Sequence, residues 1–312
     1  MPALLTHYCL ALEVFGEDAD EAAFVGSQGP DPFFFYGRLP WKKREDSKTV
    51  PSFGTLLHRI DPADFYAKLL MRAAKSEDRA ILEPYLEGLF LHYCLDRRAH
   101  PFIFYKSGQS TDPSKSHLYS ISHMYYETFV DVLVARRYDL KKNPDECLEL
   151  SEDKALAISR LFMETEEEAK IAGDLPLDAF SGGVKDYKTL ERFLLSRHGV
   201  KKALITKVFG PASEPSALSY PSSVEKIPHI DFLNESHGLW RDPVSGEEHH
   251  TDFYELMKEA ELDYASFKEA IDKAYEGEDV TSLLKGLTKG LNHDGTSEGA
   301  LKTHFDLVWK VE

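Results

Sequence analysis

Two stretches of the chain carry metal-ligand side chains four residues apart. His92, Asp96 and His100 follow one another at this spacing, and His123 precedes Glu127 by the same interval. Residues four apart lie on one face of an α-helix, one above the other. We call such a row of residues on one helix face a stripe. Two helices whose stripes face each other present enough imidazole and carboxylate groups for more than one cation. The spacing therefore predicts a polynuclear metal site.

The neighbours of these polar residues are almost all apolar. Residues 89–95 read Leu-Phe-Leu-His-Tyr-Cys-Leu, and residues 124–130 read Met-Tyr-Tyr-Glu-Thr-Phe-Val. A single pair at this spacing is most often a solvated surface pair. A carboxylate inside an apolar helix is costly to bury unless it is paired or ligates a metal. Because the arrangement occurs in two helices, it favours metal binding over two surface pairs.

Three more residues join the candidate set, although each is a weak signal alone. His7 lies among Leu and Tyr residues of the first predicted helix, where a buried core histidine is the alternative. Asp31 lies in a Gly-Pro-Asp-Pro sequence, where a rigid turn is the alternative. His58 ends an apolar run that starts at Phe53.

Helical patterns run through most of the 312 residues, a length that can bury one large core. Thr6 is expected to cap the first helix. The segment with the first stripe opens at Ser76, Pro84 is expected to kink it, and Pro101 is expected to end it. Because the residue before proline avoids helical angles, His100 is expected at the helix terminus.

The second stripe lies on a helix that runs to Arg137 and begins either at a Ser122 cap or near Ser116. Further helices are predicted after Asp61-Pro62 and over Ser151–Ala172, Phe253–Tyr275 and Val280–Leu291. Residues 210–228 are rich in Pro and Ser and predict a long loop. No strand-like alternation of useful length occurs.

The fold class predicted from these patterns is all-α, with the metal site between core helices of a single multi-helix bundle domain. Residues 1–140 are expected to form the helical core that holds the metal site. Residues 141–312 are expected to add helices packed on the same domain. The oligomeric state does not follow from the sequence.

Composition restricts the classes of protein that fit. A formal net charge of -16 argues against broad attraction to nucleic acid or to anionic membranes, although local exceptions are compatible with it. Cys9, Cys94 and Cys147 are scattered, which predicts free thiols and a metal held by nitrogen and oxygen. Neither a membrane-spanning apolar run nor a signal-peptide pattern occurs, so a soluble, cytoplasmic protein is expected.

The chain resembles the zinc-dependent phospholipase C family, whose site is shared by the single-strand-specific nucleases. The resemblance covers residues 1 to about 135 and rests on Thr6-His7, Gly29-Pro30-Asp31, His58, His92, Asp96, His100, Ser122-His123, Glu127 and Asp131. It implies an all-α bundle with closely spaced zinc ions. A lipid-binding sandwich at the carboxy terminus is not recognisable, so the resemblance does not imply docking onto intact membranes.

The resemblance also implies the role of each candidate. The implied ligand groups are His58 with His92 and Asp96, then His100 with His123 and Glu127, and finally His7 with Asp96. Two zinc ions are expected and a third, at His7, is left open. Asp96 would bridge two ions, and Asp31 corresponds to the family's active-site carboxylate, which orients or deprotonates the attacking water.

The function expected from this resemblance is phosphodiester hydrolysis of the phospholipase C type, with a metal-activated water attacking phosphorus. The substrate would be a small-molecule or lipid phosphodiester. Residues 33–36 and Tyr125 are aromatic and would line its pocket, or they belong to the core. Two alternatives stay open. The site could cleave nucleotides or single-stranded nucleic acid, although stable nucleic-acid binding is not expected, or the protein could bind zinc without catalysis.

The other histidines lack a partner pattern, and a solvated surface position is expected for them. They are His117, His198, His229, His237, His249, His250, His293 and His304. His249-His250 before Asp252 is the only suggestive arrangement among them.

Overall fold

A computed structural model describes residues 4–196, 198–219, 230–300 and 302–306. Its helices confirm the predicted all-α class. The α-helices are α1 (Leu4–Phe15), α2 (Glu21–Gly26), α3 (Pro32–Phe35), α4 (Thr49–Arg59), α5 (Ala63–Ala74), α6 (Arg79–Ser107), α7 (Ser116–Arg137), α8 (Glu152–Ala169), α9 (Ala179–Leu194), α10 (Val200–Phe209), α11 (Glu214–Leu218), α12 (Phe253–Tyr275) and α13 (Thr281–Thr288). Short 3-10 helices cover Pro113–Lys115 and Pro144–Leu148. None of the described helices is both long and apolar enough to cross a bilayer.

Helix α6 lies at the centre of the bundle and packs against α2, α5, α7, α8 and α12. Its contact with α2 is close because Gly88 has no side chain. A Cβ atom at Gly88 would lie 2.2 Å from the backbone oxygen of Ala23, which no real side chain tolerates. This approach places the residues after α2 next to the middle of α6, where His92 lies.

The prediction that Pro101 ends the helix was wrong. Helix α6 runs through Pro84 and Pro101 and ends at Ser107. A proline removes one helical hydrogen bond, but tertiary packing overrides this local preference. Pro101 is buried, and Gly295 packs so closely that a Cβ there would lie 2.3 Å from the Arg97 oxygen. His100 therefore stays on the same helical stripe as Asp96.

The start of α1 is held by α7 and not by the predicted Thr6 cap. Thr6 lies inside α1, and its hydroxyl donates a hydrogen bond to Asp131 Oδ1 at 2.6 Å. The backbone N–H groups of Leu5 and Thr6 donate to the same carboxylate at 2.9 Å. Helix α7 begins at Ser116, the second of the two predicted starts. Asp131 thus joins the two helices that carry His7 and Glu127.

The remaining elements depart from prediction mainly at their ends. Helix α12 has the predicted bounds, α8 ends at Ala169, and α13 covers the shorter range Thr281–Thr288. Helix α11 lies within the predicted loop, of which residues 220–228 fall outside the described residues. An unpredicted two-stranded antiparallel sheet pairs β1 (Trp240–Arg241) with β2 (Glu248–His249). One apolar core extends from Leu4 to Leu284.

Candidate metal centre

The fold brings all eight predicted site residues to one region of the bundle. They are His7 on α1, Asp31 between α2 and α3, His58 on α4, His92, Asp96 and His100 on α6, and His123 and Glu127 on α7. Six of the eight are buried, and His58 and His123 are partly exposed. Residues far apart in the sequence therefore form one polar cluster inside an apolar bundle.

Asp96 lies at the centre of the cluster. Its Oδ1 atom lies 3.1 Å from His7 Nε2 and 3.9 Å from His100 Nδ1. Its Oδ2 atom lies 3.0 Å from His92 Nε2 and 4.0 Å from His58 Nε2. A carboxylate that faces four imidazoles with two oxygens has the position that a bridging ligand requires.

Three groups of buried or partly buried side chains could each hold a metal ion, because their ligand atoms lie within 4.8 Å of one another. The groups are His7 with His92 and Asp96, Asp31 with His58 and His92, and His100 with His123 and Glu127. The last group has the members that the resemblance implies. In the second, Asp31 joins His58 and His92 in place of Asp96, so Asp31 is itself a candidate ligand.

Among these ligands, Asp31 and His92 carry buried polar atoms that lack a hydrogen-bond partner among the described residues. The atoms are both carboxylate oxygens of Asp31 and Nε2 of His92. Asp31 Oδ1 lies 3.0 Å from His58 Nε2 and His92 Nε2 lies 3.0 Å from Asp96 Oδ2, but neither pair has hydrogen-bond alignment. Burial of such atoms is costly unless a cation satisfies them. The donor set therefore fits a bound metal ion.

Backbone carbonyl groups fix the orientation of three imidazoles. Each carbonyl can only accept, so the Nδ1 atom must carry the proton and donate. The contacts are His58 Nδ1 to Gly54 O at 2.8 Å, His92 Nδ1 to Ser27 O at 3.1 Å, and His100 Nδ1 to His293 O at 2.9 Å. In the neutral tautomer this leaves each Nε2 lone pair available to a metal, as in metal sites with backbone-anchored histidines.

Gly29 makes room for the His92 ring. Its φ of +56° lies in the left-handed region, and a Cβ atom there would lie 2.1 Å from His92 Cδ2. Only glycine satisfies both the backbone angle and the space. The turn after α2 can therefore place the Ser27 carbonyl on one side of the ring and Asp31 near the other residues of its group.

The electrostatic environment favours the protonation states that metal ligands need. Burial lowers the pKa of His92, which keeps its ring neutral. Burial alone would raise the pKa of Asp96, but the nearby His92 and His100 outweigh it and hold that pKa well below its usual range. The pKa of Glu127 is lowered in the same way, against the effect of burial, by His123 and His100. Both carboxylates are thus ionised at neutral pH.

His100 has the opposite shift. Burial would lower its pKa, but the charges of Asp96 and of Glu127, whose Oε1 lies 3.6 Å from His100 Nε2, raise it to about 9. Without a cation, His100 is therefore protonated at neutral pH and balances part of the carboxylate charge. A metal ion bound in this group would have to displace that proton.

His293 belongs to the site region, contrary to the predicted surface position. It is fully buried, its ring centroid lies 4.7 Å from that of His58, and its Nε2 lies 3.1 Å from the Tyr66 hydroxyl. Its backbone carbonyl is the acceptor for His100. His293 has no ligand partner at helical spacing, so no sequence signal pointed to it; only the folding of residues 291–296 against α4 and α6 brings it there.

A cavity of about 570 Å³ opens beside the ligand groups. His58, His100 and His123 line it, together with the rings of Phe34 and Phe104. Phe34 is the member of the aromatic segment 33–36 that lines the cavity, whereas Phe33, Phe35 and Tyr36 are buried in the core. A small molecule in this cavity would therefore contact two of the three ligand groups and an apolar wall.

The arrangement near His249-His250 does not form a comparable site. His249 stacks on Trp240 with ring centroids 4.4 Å apart. His237, Asp252 and Glu255 do lie close enough to share an ion. However, Asp252 and Glu255 already form the capping box that begins α12. These carboxylates have a local structural role.

No family model, curated protein or solved structure matches the chain.

Proposed function

We propose that this protein is a zinc-dependent phosphodiester hydrolase of the phospholipase C type. The observation that carries the proposal is the buried Asp31 carboxylate beside His58 and His92, whose oxygens have no hydrogen-bond partner in the described part of the chain. Imidazole and carboxylate donors suit zinc, and a carboxylate with uncommitted acceptor atoms next to them suits work as a general base. The resemblance to the zinc-dependent phospholipase C family supports the same assignment.

The chain's residues would divide the work as follows. Zinc held by the histidines, Asp96 and Glu127 of the three ligand groups, with Asp31 not bound to it, would supply a Lewis acid that lowers the pKa of water to about 7 and stabilises charge on phosphoryl oxygens. Asp31 would accept a hydrogen bond from the attacking water, orient it and take its proton. The backbone carbonyls of Gly54 and Ser27 would keep the His58 and His92 rings from turning during the reaction.

The cavity favours a phosphodiester with an apolar part over a nucleic acid. Phe34 and Phe104 supply apolar wall, while Ser110, Ser120 and Arg59 supply polar groups. Lys302 Nζ lies 3.5 Å from the Phe104 ring centroid and covers one face of that ring. Single-strand binding uses open stacking faces and a basic track, which a chain of net charge -16 does not favour.

The test compares wild type with Asp31→Asn on bis(p-nitrophenyl) phosphate after zinc loading, with metal content measured on the same samples. We expect turnover by wild type and a loss of at least about 100-fold in the variant, because a general base contributes about 10²–10⁴-fold. The exposed Asp139→Asn is the matched control and should keep full activity. Equal turnover by Asp31→Asn and wild type would contradict the role of Asp31.

Two substrates then separate the alternatives. Lecithin hydrolysis that exceeds the cleavage of single-stranded DNA supports the phospholipase type, and the reverse ranking supports the nuclease. Stoichiometric zinc without turnover of either substrate or of the chromogenic ester would identify a non-catalytic zinc protein.

A further inference from the structure

Helix α10 presents an apolar stripe to solvent. Val200, Leu204 and Val208 follow at intervals of four residues and are 75%, 60% and 65% exposed, and the adjoining Phe209 is 58% exposed. Ile205 is the one buried side chain among the ten residues of this helix, all of which are described. A helix normally turns such a stripe toward the core. No described residue outside the helix covers the stripe, which is therefore an unpartnered surface as far as the described ranges extend.

Two aromatic residues extend this surface beyond the helix. Lys201 Nζ lies 5.9 Å from the ring centroid of Phe193, and that ring lies 6.1 Å from the Trp41 ring. Phe193 and Trp41 are 50% and 63% exposed. We name the set of Trp41, Phe193, Val200, Leu204, Val208 and Phe209 the α10 face. Six exposed apolar residues on neighbouring segments differ from the single apolar residues that any surface carries.

The charges around the α10 face are basic, although the chain is acidic. Helix α10 contains three lysines and no acidic residue, whereas the whole chain has a formal net charge of -16. Lys201 and Lys207 are exposed, and Lys43 is exposed beside Trp41.

Two acidic residues close to the α10 face, Asp145 and Asp186, are paired within the protein. Asp145 accepts a hydrogen bond from Arg192 at 2.9 Å, which neutralises it. Asp186 is buried and is held by Lys42 at 2.8 Å and by Arg44 at 3.0 Å. Glu146, which lines a groove with Val200 and Leu204, and Glu45 are exposed. The exposed Lys43, Lys201 and Lys207 therefore leave this surface with a small excess of positive charge, in contrast to the acidic chain.

The apolar and basic residues of the α10 face favour one kind of binding partner. An apolar helix face with flanking lysines and an exposed tryptophan is the pattern of a helix that lies in the interface of an anionic lipid layer. A second copy of the chain fits poorly, because a twofold contact would bring the same lysines against each other and join two strongly acidic chains. We propose that the α10 face docks the protein on an anionic lipid surface.

The α10 face lies next to the opening of the cavity at the metal centre. Helix α11 packs against α10, and its Glu214 binds Arg38 at 3.1 Å. Both Glu214 and Arg38 line the cavity, and Trp41 follows Arg38 by three residues. Docking through this face would bring the cavity close to lipid headgroups. The docking itself does not depend on the proposed hydrolysis.

The test is co-sedimentation of the full chain with vesicles of phosphatidylcholine and phosphatidylserine, against vesicles of phosphatidylcholine alone. We expect binding to the mixed vesicles that weakens with salt, and about tenfold weaker binding by Leu204→Asp and by Val208→Asp, since each removes apolar area and adds a repelling charge. Leu262→Asp on α12 is the matched control, because Leu262 is 65% exposed like Val208. It should bind like wild type.

Tryptophan fluorescence gives a second readout. Of the three tryptophans, Trp41 is exposed, Trp240 is buried and Trp309 lies outside the described residues. A blue shift on addition of mixed vesicles should therefore be assigned to Trp41 by its absence in Trp41→Phe. Absence of binding to the mixed vesicles would overturn the proposal, as would equal weakening by Leu262→Asp. Dimerisation in sedimentation velocity that Leu204→Asp abolishes would assign the face to a second copy instead. Because these readouts measure binding, failed hydrolysis and failed docking are distinguishable.

Discussion

The backbone carbonyl of His293 accepts a hydrogen bond from His100 Nδ1 at 2.9 Å, across 193 positions of the chain. The N–H of the same residue donates to the carbonyl of His58 at 3.3 Å. One residue near the carboxy terminus thus fixes histidines of two different ligand groups. The amino-terminal half of the chain supplies the candidate ligands, but the placement of His58 and His100 also depends on His293.

His293→Ala tests which part of this residue matters. The ring is buried among Tyr66, Tyr93 and His58, so its loss should lower the free energy of unfolding by about 2–4 kcal/mol. Metal content should persist, because the backbone carbonyl remains and holds His100. Urea unfolding and plasma mass spectrometry measure the two effects.

Tyr66→Phe, which removes only the hydroxyl beside His293 Nε2, should lower the unfolding free energy by about 1 kcal/mol. Loss of all metal in His293→Ala would make the ring a ligand.

When a histidine is replaced by alanine, the number of zinc ions lost should depend on how many ligand groups contain that histidine. His92 belongs to two ligand groups and His123 to one. We therefore expect wild type to bind two or three zinc ions, His123→Ala to lose one of them, and His92→Ala to lose more. Metal content after chelation and zinc reconstitution measures this difference. His117→Ala, an exposed position on the same helix as His123, should bind like wild type. Equal metal content in all three variants would contradict the assigned groups.

Gly29→Ala should disturb the site both by a steric clash with the His92 ring and by backbone strain. The added Cβ would lie 2.1 Å from His92 Cδ2, so the ring must move away from the Ser27 carbonyl. We expect a loss of about 2–4 kcal/mol in unfolding free energy and weaker zinc binding.

Gly246→Ala separates strain from the clash. Gly246 also has a positive φ, +74°, but a Cβ there would meet nothing within 4 Å. It should cost about 1 kcal/mol and leave zinc binding unchanged. The same loss in both variants would show that strain alone accounts for the effect at Gly29.

Glu191 should make stability fall as pH rises. It is buried on α9, and burial together with Asp131 and Asp145 raises its pKa well above the usual value of 4.5. The folded state then holds a proton that the unfolded state releases above about pH 4.5, so the unfolding free energy declines from that pH up to the raised pKa. Glu191→Gln, which stays neutral, should have a higher Tm than wild type at pH 8.

Thermal unfolding at pH 5 and pH 8 measures this effect. At pH 5 the Glu191→Gln variant should lose its advantage, because Glu191 of the wild type is then protonated as well. The exposed Glu247→Gln is the control and should follow wild type at both values. A Tm of Glu191→Gln below wild type at pH 8 would show that the carboxylate is stabilising.

The sequence by itself determined the helical class and the local ligand pairs. Helical periodicity and side-chain spacing are properties of neighbouring residues, so His92 with Asp96, His123 with Glu127 and the bounds of α12 could be predicted. The apolar residues around each pair also indicated burial, because a lone carboxylate is costly to bury.

Tertiary structure decided what depends on distant residues. Because α6 packs against Gly295, the helix continues past Pro101, and His100 stays on the same helix face as His92 and Asp96. Asp131 holds the start of α1, a role that no residue near Thr6 reveals. Asp31 joins His58 and His92, and His293 enters the site, only because separate segments meet around α6. Such contacts have no fixed spacing in the chain, since their free energy comes from packing and hydrogen bonds that exist only in the folded bundle.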